Sequence, residues 1–199
     1  MPTLWSSDAL DDWRRALDRY ETVVAAQGVA RLPELDRWYR DELPRAIAAR
    51  RPTAYVTLDE LARLSEWKMA RGVWRARNLA LVRGNAPGTV ADTSAAAIAA
   101  MPHPTTPIAK LAELDGVGPA TASAVAAAAR PDVYPFFDEL VAAQMPLAGK
   151  LAFTLGYYAK YAAALRERAA ALGDDWTPAM AERALWAHAG GKAGARQSP

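Results

Sequence analysis

Residues 114–122, Leu-Asp-Gly-Val-Gly-Pro-Ala-Thr-Ala, form the most specific pattern in the chain. Gly116 and Gly118 permit a tight turn with positive φ, and Pro119 has the fixed φ that opens a helix. Such a turn aims unpaired backbone N–H groups outward at the positive end of the following helix. That is a phosphate site needing no charged side chain. The same glycines would also suit a plain corner between two helices, where they serve packing alone. Asp138 follows Leu114 by 24 residues, behind the aromatic approach of Tyr134, Phe136 and Phe137. A carboxylate in such surroundings could stabilise the positive charge that builds on a sugar as its N-glycosidic bond breaks. It could also orient the attacking water. Capping the next helix is the competing role, and the two can coexist. Glu139 beside it suits the dipole of that helix better than catalysis.

Two further groups of residues bear on chemistry. Positions 63–83 hold six basic residues against Glu66 alone. Lys68, Arg71 and Arg75 share one stripe if the helix is continuous, with Trp67 and Trp74 alongside. Basic side chains interleaved with tryptophan suit a track along nucleic-acid phosphates. A solvated basic face, or arginines paired with the acids of the first helices, fits equally well. A flipped nucleobase needs an apolar, aromatic pocket. Its candidate walls are Trp67, Tyr134, Phe136 and Phe137, with Trp74, Tyr157, Tyr158 and Tyr161 as further options. Aromatics at helical spacing are more often core than pocket. Two histidines and no cysteine make a poor metal set and exclude disulfides, iron–sulfur clusters and zinc–thiolate sites.

The segment from Leu114 resembles the helix-hairpin-helix motif of the DNA glycosylase superfamily that includes endonuclease III-like and adenine-mismatch enzymes. Leu114, Gly116, Val117, Gly118, Thr121 and Ala122 fit its L-x-G-V-G-x-x-T-A pattern. An apolar helix and a short apolar stretch then lead to Asp138, where the family has its catalytic aspartate. The match covers about 114–145. The resemblance implies a DNA-binding, base-excising enzyme whose hairpin grips phosphate. It departs from bifunctional members in having Ala120 where they carry a nucleophilic lysine, and it lacks the cysteines of a cluster loop. Hydrolysis without strand cleavage is therefore expected, although Lys150 or Lys160 could in principle reach the site. A non-catalytic DNA-binding module is the alternative, and a helical scaffold that binds another protein is a third.

Positioning these residues falls to helices, because nearly every segment has helical periodicity. Leu10, Trp13, Leu17, Tyr20 and Val24 predict one helix over 8–27, stopped by Gly28. A second spans 32–49, broken or restarted at Pro44. Thr57 and Glu60 form a capping box for a helix running to about Gly72. Further helices are expected over 73–83, 92–101, 107–113, 119–129, 137–144 and 150–172, and another opens at Thr177-Pro178. Pro87-Gly88 is read as a turn. Residues 54–56 hint at a strand too short to count.

The chain has 199 residues, 52% hydrophobic and 23% charged, with a net charge of +2. It can bury a real core and is not a disordered chain. No apolar run reaches the ~18 residues of a membrane span, and the first residues lack a signal peptide's features. The expectation is an all-α protein: a two-lobed helical bundle of the helix-hairpin-helix glycosylase type. It comprises one domain over 1–189, with the hairpin lobe at about 105–145, a lobe boundary around 84–105 and a disordered tail at 190–199. Expected too are a cytoplasmic monomer, a DNA partner, no membrane, and no metal or cofactor, a monovalent cation at the hairpin being left open.

Overall fold

A computed structural model describes residues 3–195. These residues are all-helical, with no strand among them. After a single 3-10 turn, α1 (Leu10–Asp18) and α2 (Tyr20–Ala25) replace the one helix expected over 8–27, with the break at Arg19. α3 (Leu32–Arg37) runs through a π turn at Trp38–Glu42 into α4 (Leu43–Ala49). Pro44 sits in the first turn of α4 and has no N–H for the carbonyl of Arg40. The helix widens at this point, Leu43 N–H reaching back to the Trp38 carbonyl, so Pro44 restarts the helix rather than ending it.

α5 (Leu58–Arg71) begins with the expected capping box: Thr57 Oγ1 accepts from Glu60 N at 3.2 Å, and Glu60 Oε2 accepts from Thr57 N at 2.9 Å. It ends one residue before Gly72, and α6 (Ala76–Arg83) starts only after an irregular stretch at 72–75. α7 (Pro87–Ala99) takes Pro87 as its first residue, so the expected turn there is a helix start. α8 (Thr106–Leu111) and α9 (Pro119–Ala129) flank the hairpin, followed by α10 (Glu139–Ala142), α11 (Leu155–Leu172) and α12 (Pro178–His188). α13 (Gly191–Ala195) is helical where an irregular tail was expected, and residues 196–199 lie outside the described residues.

One continuous cluster of buried side chains runs from Leu4 to Ala187, with Trp13, Trp67 and Trp186 fully enclosed. α9 is buried on nearly every side because its residues are small: Ala122, Ala124, Ala126, Ala127 and Ala128 leave α4, α5 and α8 room to pack close. α12 plays the matching central role against α1, α2, α10 and α11. No helix among the described residues is long and apolar enough to cross a membrane.

Candidate functional site

The hairpin is built against α6. Gly116 takes φ +76°, and a Cβ there would lie 2.6 Å from the Asn78 carbonyl oxygen and 2.8 Å from the Val82 nitrogen. Glycine is required twice over, by the left-handed backbone and by the backbone approach. Asn85 then clamps the turn with both ends of its amide: Nδ2 donates to the Asp115 carbonyl and Oδ1 accepts from Asp115 N, each at 3.0 Å. Leu114 and Val117 are buried and anchor the turn from below. Gly118 differs from expectation. Its backbone is extended, φ −96° and ψ 178°, and a Cβ added to it would meet nothing within 4 Å. It stands at the N-cap of α9, where no side chain covers the first turn, leaving the amides of Ala120 and Thr121 without intrahelical partners.

The approach to Asp138 is a non-helical strap, residues 134–137, held to neighbouring helices by its backbone. Ser123 Oγ of α9 accepts from Phe137 N at 2.9 Å. From α11, Tyr161 donates to the Phe136 carbonyl at 2.7 Å and Tyr158 to the Pro135 carbonyl at 3.2 Å. Tyr134 donates its hydroxyl to the His103 carbonyl at 2.8 Å. These bonds satisfy a buried non-helical backbone and fix where the following carboxylate stands.

Asp138 is nearly buried and does two things at once. Oδ1 caps α10 by accepting from Leu140 N at 2.8 Å. Oδ2 lies 3.3 Å from Arg71 Nε, a contact between charges that is off the line of a hydrogen bond, so this Nε is left with no such partner. Arg71 is buried as well. It donates through Nη2 to Glu182 and through Nη1 to Tyr20 Oη at 3.2 Å, and its guanidinium lies 4.4 Å from the Trp186 ring centroid and 5.1 Å from that of Phe136. Burial pushes the Glu182 carboxyl up to about 7 against the pull of Arg71, with Asp138 adding to the rise.

A hollow of about 340 Å³ opens over this acid, within the roughly 300–1,000 Å³ usual for small-molecule sites. Residues 118–121 form one wall and residues 136–140 another. Lys68, Arg71 and Arg75 contribute from α5 and the stretch after it, and Lys192 of α13 closes one side through an ion pair with Glu139. Val73 and Phe153 line it while remaining about half exposed, and Trp74 beside Val73 is 56% exposed. Burial, with Arg75 adding to it, pushes the Lys68 amine below its ordinary range, while Asp138 and Glu139 pull the other way.

The structure thus gathers Asp138, Gly118, Thr121, Phe136, Phe137, Lys68, Arg71 and Arg75 around one hollow, though not all in the roles expected. Arg71 is no part of a surface stripe: α5 ends on it, the chain turns at Gly72, and its guanidinium is drawn inward by Asp138 and Glu182. Arg75 is therefore off the helix that carries Lys68. Trp67 lies outside the lining, stacked on Tyr39 at 3.6 Å between centroids and donating to the buried Asp36 at 2.9 Å. Tyr134 is likewise core, as its hydroxyl bond to His103 requires. Lys150 and Lys160 are exposed and do not line the hollow. Three participants escaped the sequence reading. Glu182 gives no local signal, Lys192 falls in the expected tail, and Asn85 lies just past the helix expected over 73–83. No group of three or more His, Asp or Glu among the described residues is placed to hold a metal. No family model, curated protein or solved structure matches the chain.

Proposed function

We propose that the protein removes a base from DNA by hydrolysing an N-glycosidic bond in the hollow over Asp138. The observation that carries this reading is the placement of one carboxylate and the uncapped start of α9 on the same hollow. The amides at 120–121 attract a phosphate oxygen of the backbone, while the carboxylate faces the sugar and stabilises its developing positive charge. Phe136 and Phe137 offer apolar surface to an extruded base. Exposed Trp74 and Val73 at the rim can fill the gap that base leaves in the stack. Arg75 and Lys68 add attraction for the phosphates on either side. Arg71 lies against the Asp138 carboxylate, its Nε 3.3 Å from Oδ2, as a positioning residue beneath the site.

The test is base release. Duplex oligonucleotides carrying uracil, hypoxanthine, alkylated purines or oxidised-purine mismatches are incubated with the protein, and abasic sites are cleaved with alkali. Product from at least one substrate is expected, falling by ~100-fold or more in Asp138→Asn. No product across the panel, or product indifferent to that substitution, would overturn the reading.

One observation favours a non-catalytic DNA-binding role instead: both oxygens of Asp138 are already engaged, one by Leu140 N and one by Arg71. Under that reading no base is released, but DNA affinity still falls with salt by about 0.9 in log K per log unit of salt for each phosphate contacted.

A further inference from the structure

A second cavity shares two walls, Arg71 and Phe136, with the hollow. It measures about 170 Å³ and lies between the π turn, α5, α9 and α12, roughly the size of a cavity that holds one benzene ring. Small residues leave this space: Ala127 and Ala128 of α9 and Ala179 of α12 stand where longer side chains would fill it. Aromatic faces line the inside, with Trp67 stacked on Tyr39 and with Phe136 and Tyr20 beside them. The π turn presents Tyr39 and its neighbour Arg40 to this one space, as such widened turns do at many functional sites.

Two polar groups of this cavity are unanswered. Glu182 is 2% exposed, and Arg71 takes only its Oε1; Oε2 has no hydrogen-bond partner among the described residues. A buried carboxyl oxygen in that state is costly unless a donor meets it. The second group is the guanidinium of Arg183, which is half-buried. Its Nε reaches the Ala179 carbonyl at 3.4 Å, and its two terminal nitrogens have neither an acidic nor a hydrogen-bond partner among the described residues. Three guanidinium groups, those of Arg40, Arg71 and Arg183, stand 5.5–5.9 Å from the Tyr20 ring centroid. Only the first two are paired with carboxylates.

We infer that this cavity is a second ligand site, and that its ligand is a single aromatic ring with a carboxylate at one end and a hydroxyl at the other. The hydroxyl donates to Glu182 Oε2, the ring lies among the aromatic walls, and the carboxylate pairs with Arg183. The volume sets the limit of one ring, the free oxygen calls for a donor, and the spare cation calls for an acid. None of this depends on base excision. An occupant would nonetheless touch Arg71, which also lies against Asp138.

The probe is 4-hydroxybenzoate. It is titrated into the full chain by calorimetry, and its position is read from backbone amide shifts in NMR spectra. Binding is expected, with the largest shifts in α12 and the π turn. Benzoate, which lacks the donor, and phenol, which lacks the acid, should each bind roughly tenfold or more weakly than the probe. Two variants make the same cut from the protein side. Arg183→Gln removes the cation and Ala179→Leu fills the space beside it, and each should weaken the probe by a similar factor. Thermal melts check that both variants fold, and the comparison of the three ligands needs no variant. No binding at millimolar probe, or shifts centred on residues 118–121 of the hollow, would overturn the inference. So would equal affinity for all three ligands, or undiminished affinity in the folded variants.

Discussion

Gly116 and Gly118 stand two residues apart and are glycine for different reasons. At Gly116 the left-handed backbone and the contact with α6 both exclude a side chain. Gly116→Ala is expected to cost at least ~1–2 kcal/mol from the backbone alone, with more from the clash against the backbone at Asn78 and Val82. A chemical denaturation curve measures it. At Gly118 neither constraint operates, so Gly118→Ala should change stability by no more than ~0.5 kcal/mol. Its methyl group would instead stand on the lining of the hollow, beside the start of α9. DNA affinity and base release should then fall while the melting temperature holds. Unchanged affinity in that variant would mean that the hairpin does not contact phosphate. Asp138 poses the same question for a carboxylate: one oxygen caps α10 and the other lies against Arg71, while the residue also lines the hollow.

At the scale of elements, the site depends on two pieces of non-helical backbone held rigid by helices. The hairpin is fixed to α6 by Asn85, and the 134–137 strap to α9 and α11 by Ser123, Tyr158 and Tyr161. Asn85→Ala removes two bonds to Asp115 that lie near the surface, so a loss of about 1 kcal/mol is expected. Hydrogen exchange at the hairpin amides should quicken more than the global loss predicts, because the turn is released locally. Uniform exchange throughout would show that the clamp has no local effect. The strap was legible only in part. The aromatic run 134–137 and the acid after it announce an extended approach to a helix start, but which carbonyls meet which tyrosines depends on α11 arriving from elsewhere in the chain.

Across the whole molecule, the buried charges form one connected system: Asp138, Arg71, Glu182 and Tyr20, with Asp36 accepting from Tyr20, Trp67 and Arg40. Glu182 dominates its pH dependence. Its carboxyl is raised from 4.5 to about 7 by burial, so the folded state holds a proton that the unfolded chain has released across that window. Stability on this account is full below about 4.5, falls as pH rises toward 7 and is flat above. Glu182→Gln, which cannot ionise, should lack this decline. The melting temperature of the wild type relative to the variant should therefore fall between pH 4.5 and 7; a relative rise would show that the Arg71 pair outweighs burial.

The sequence alone determined what local chemistry fixes: helical periodicity, the Thr57–Glu60 box, the exact start and end of α9, and a glycine-bent turn before it. These follow from neighbours within a few residues, where propensity, capping and φ restrictions act. Which charged residues turn inward was decided only in three dimensions. Arg71 and Lys68 share one face of one helix, yet a glutamate 111 residues downstream buries the first and leaves the second on the wall of the hollow. Desolvation makes a buried charge seek whatever partner the packed helices bring to it, and no spacing along the chain encodes that partner.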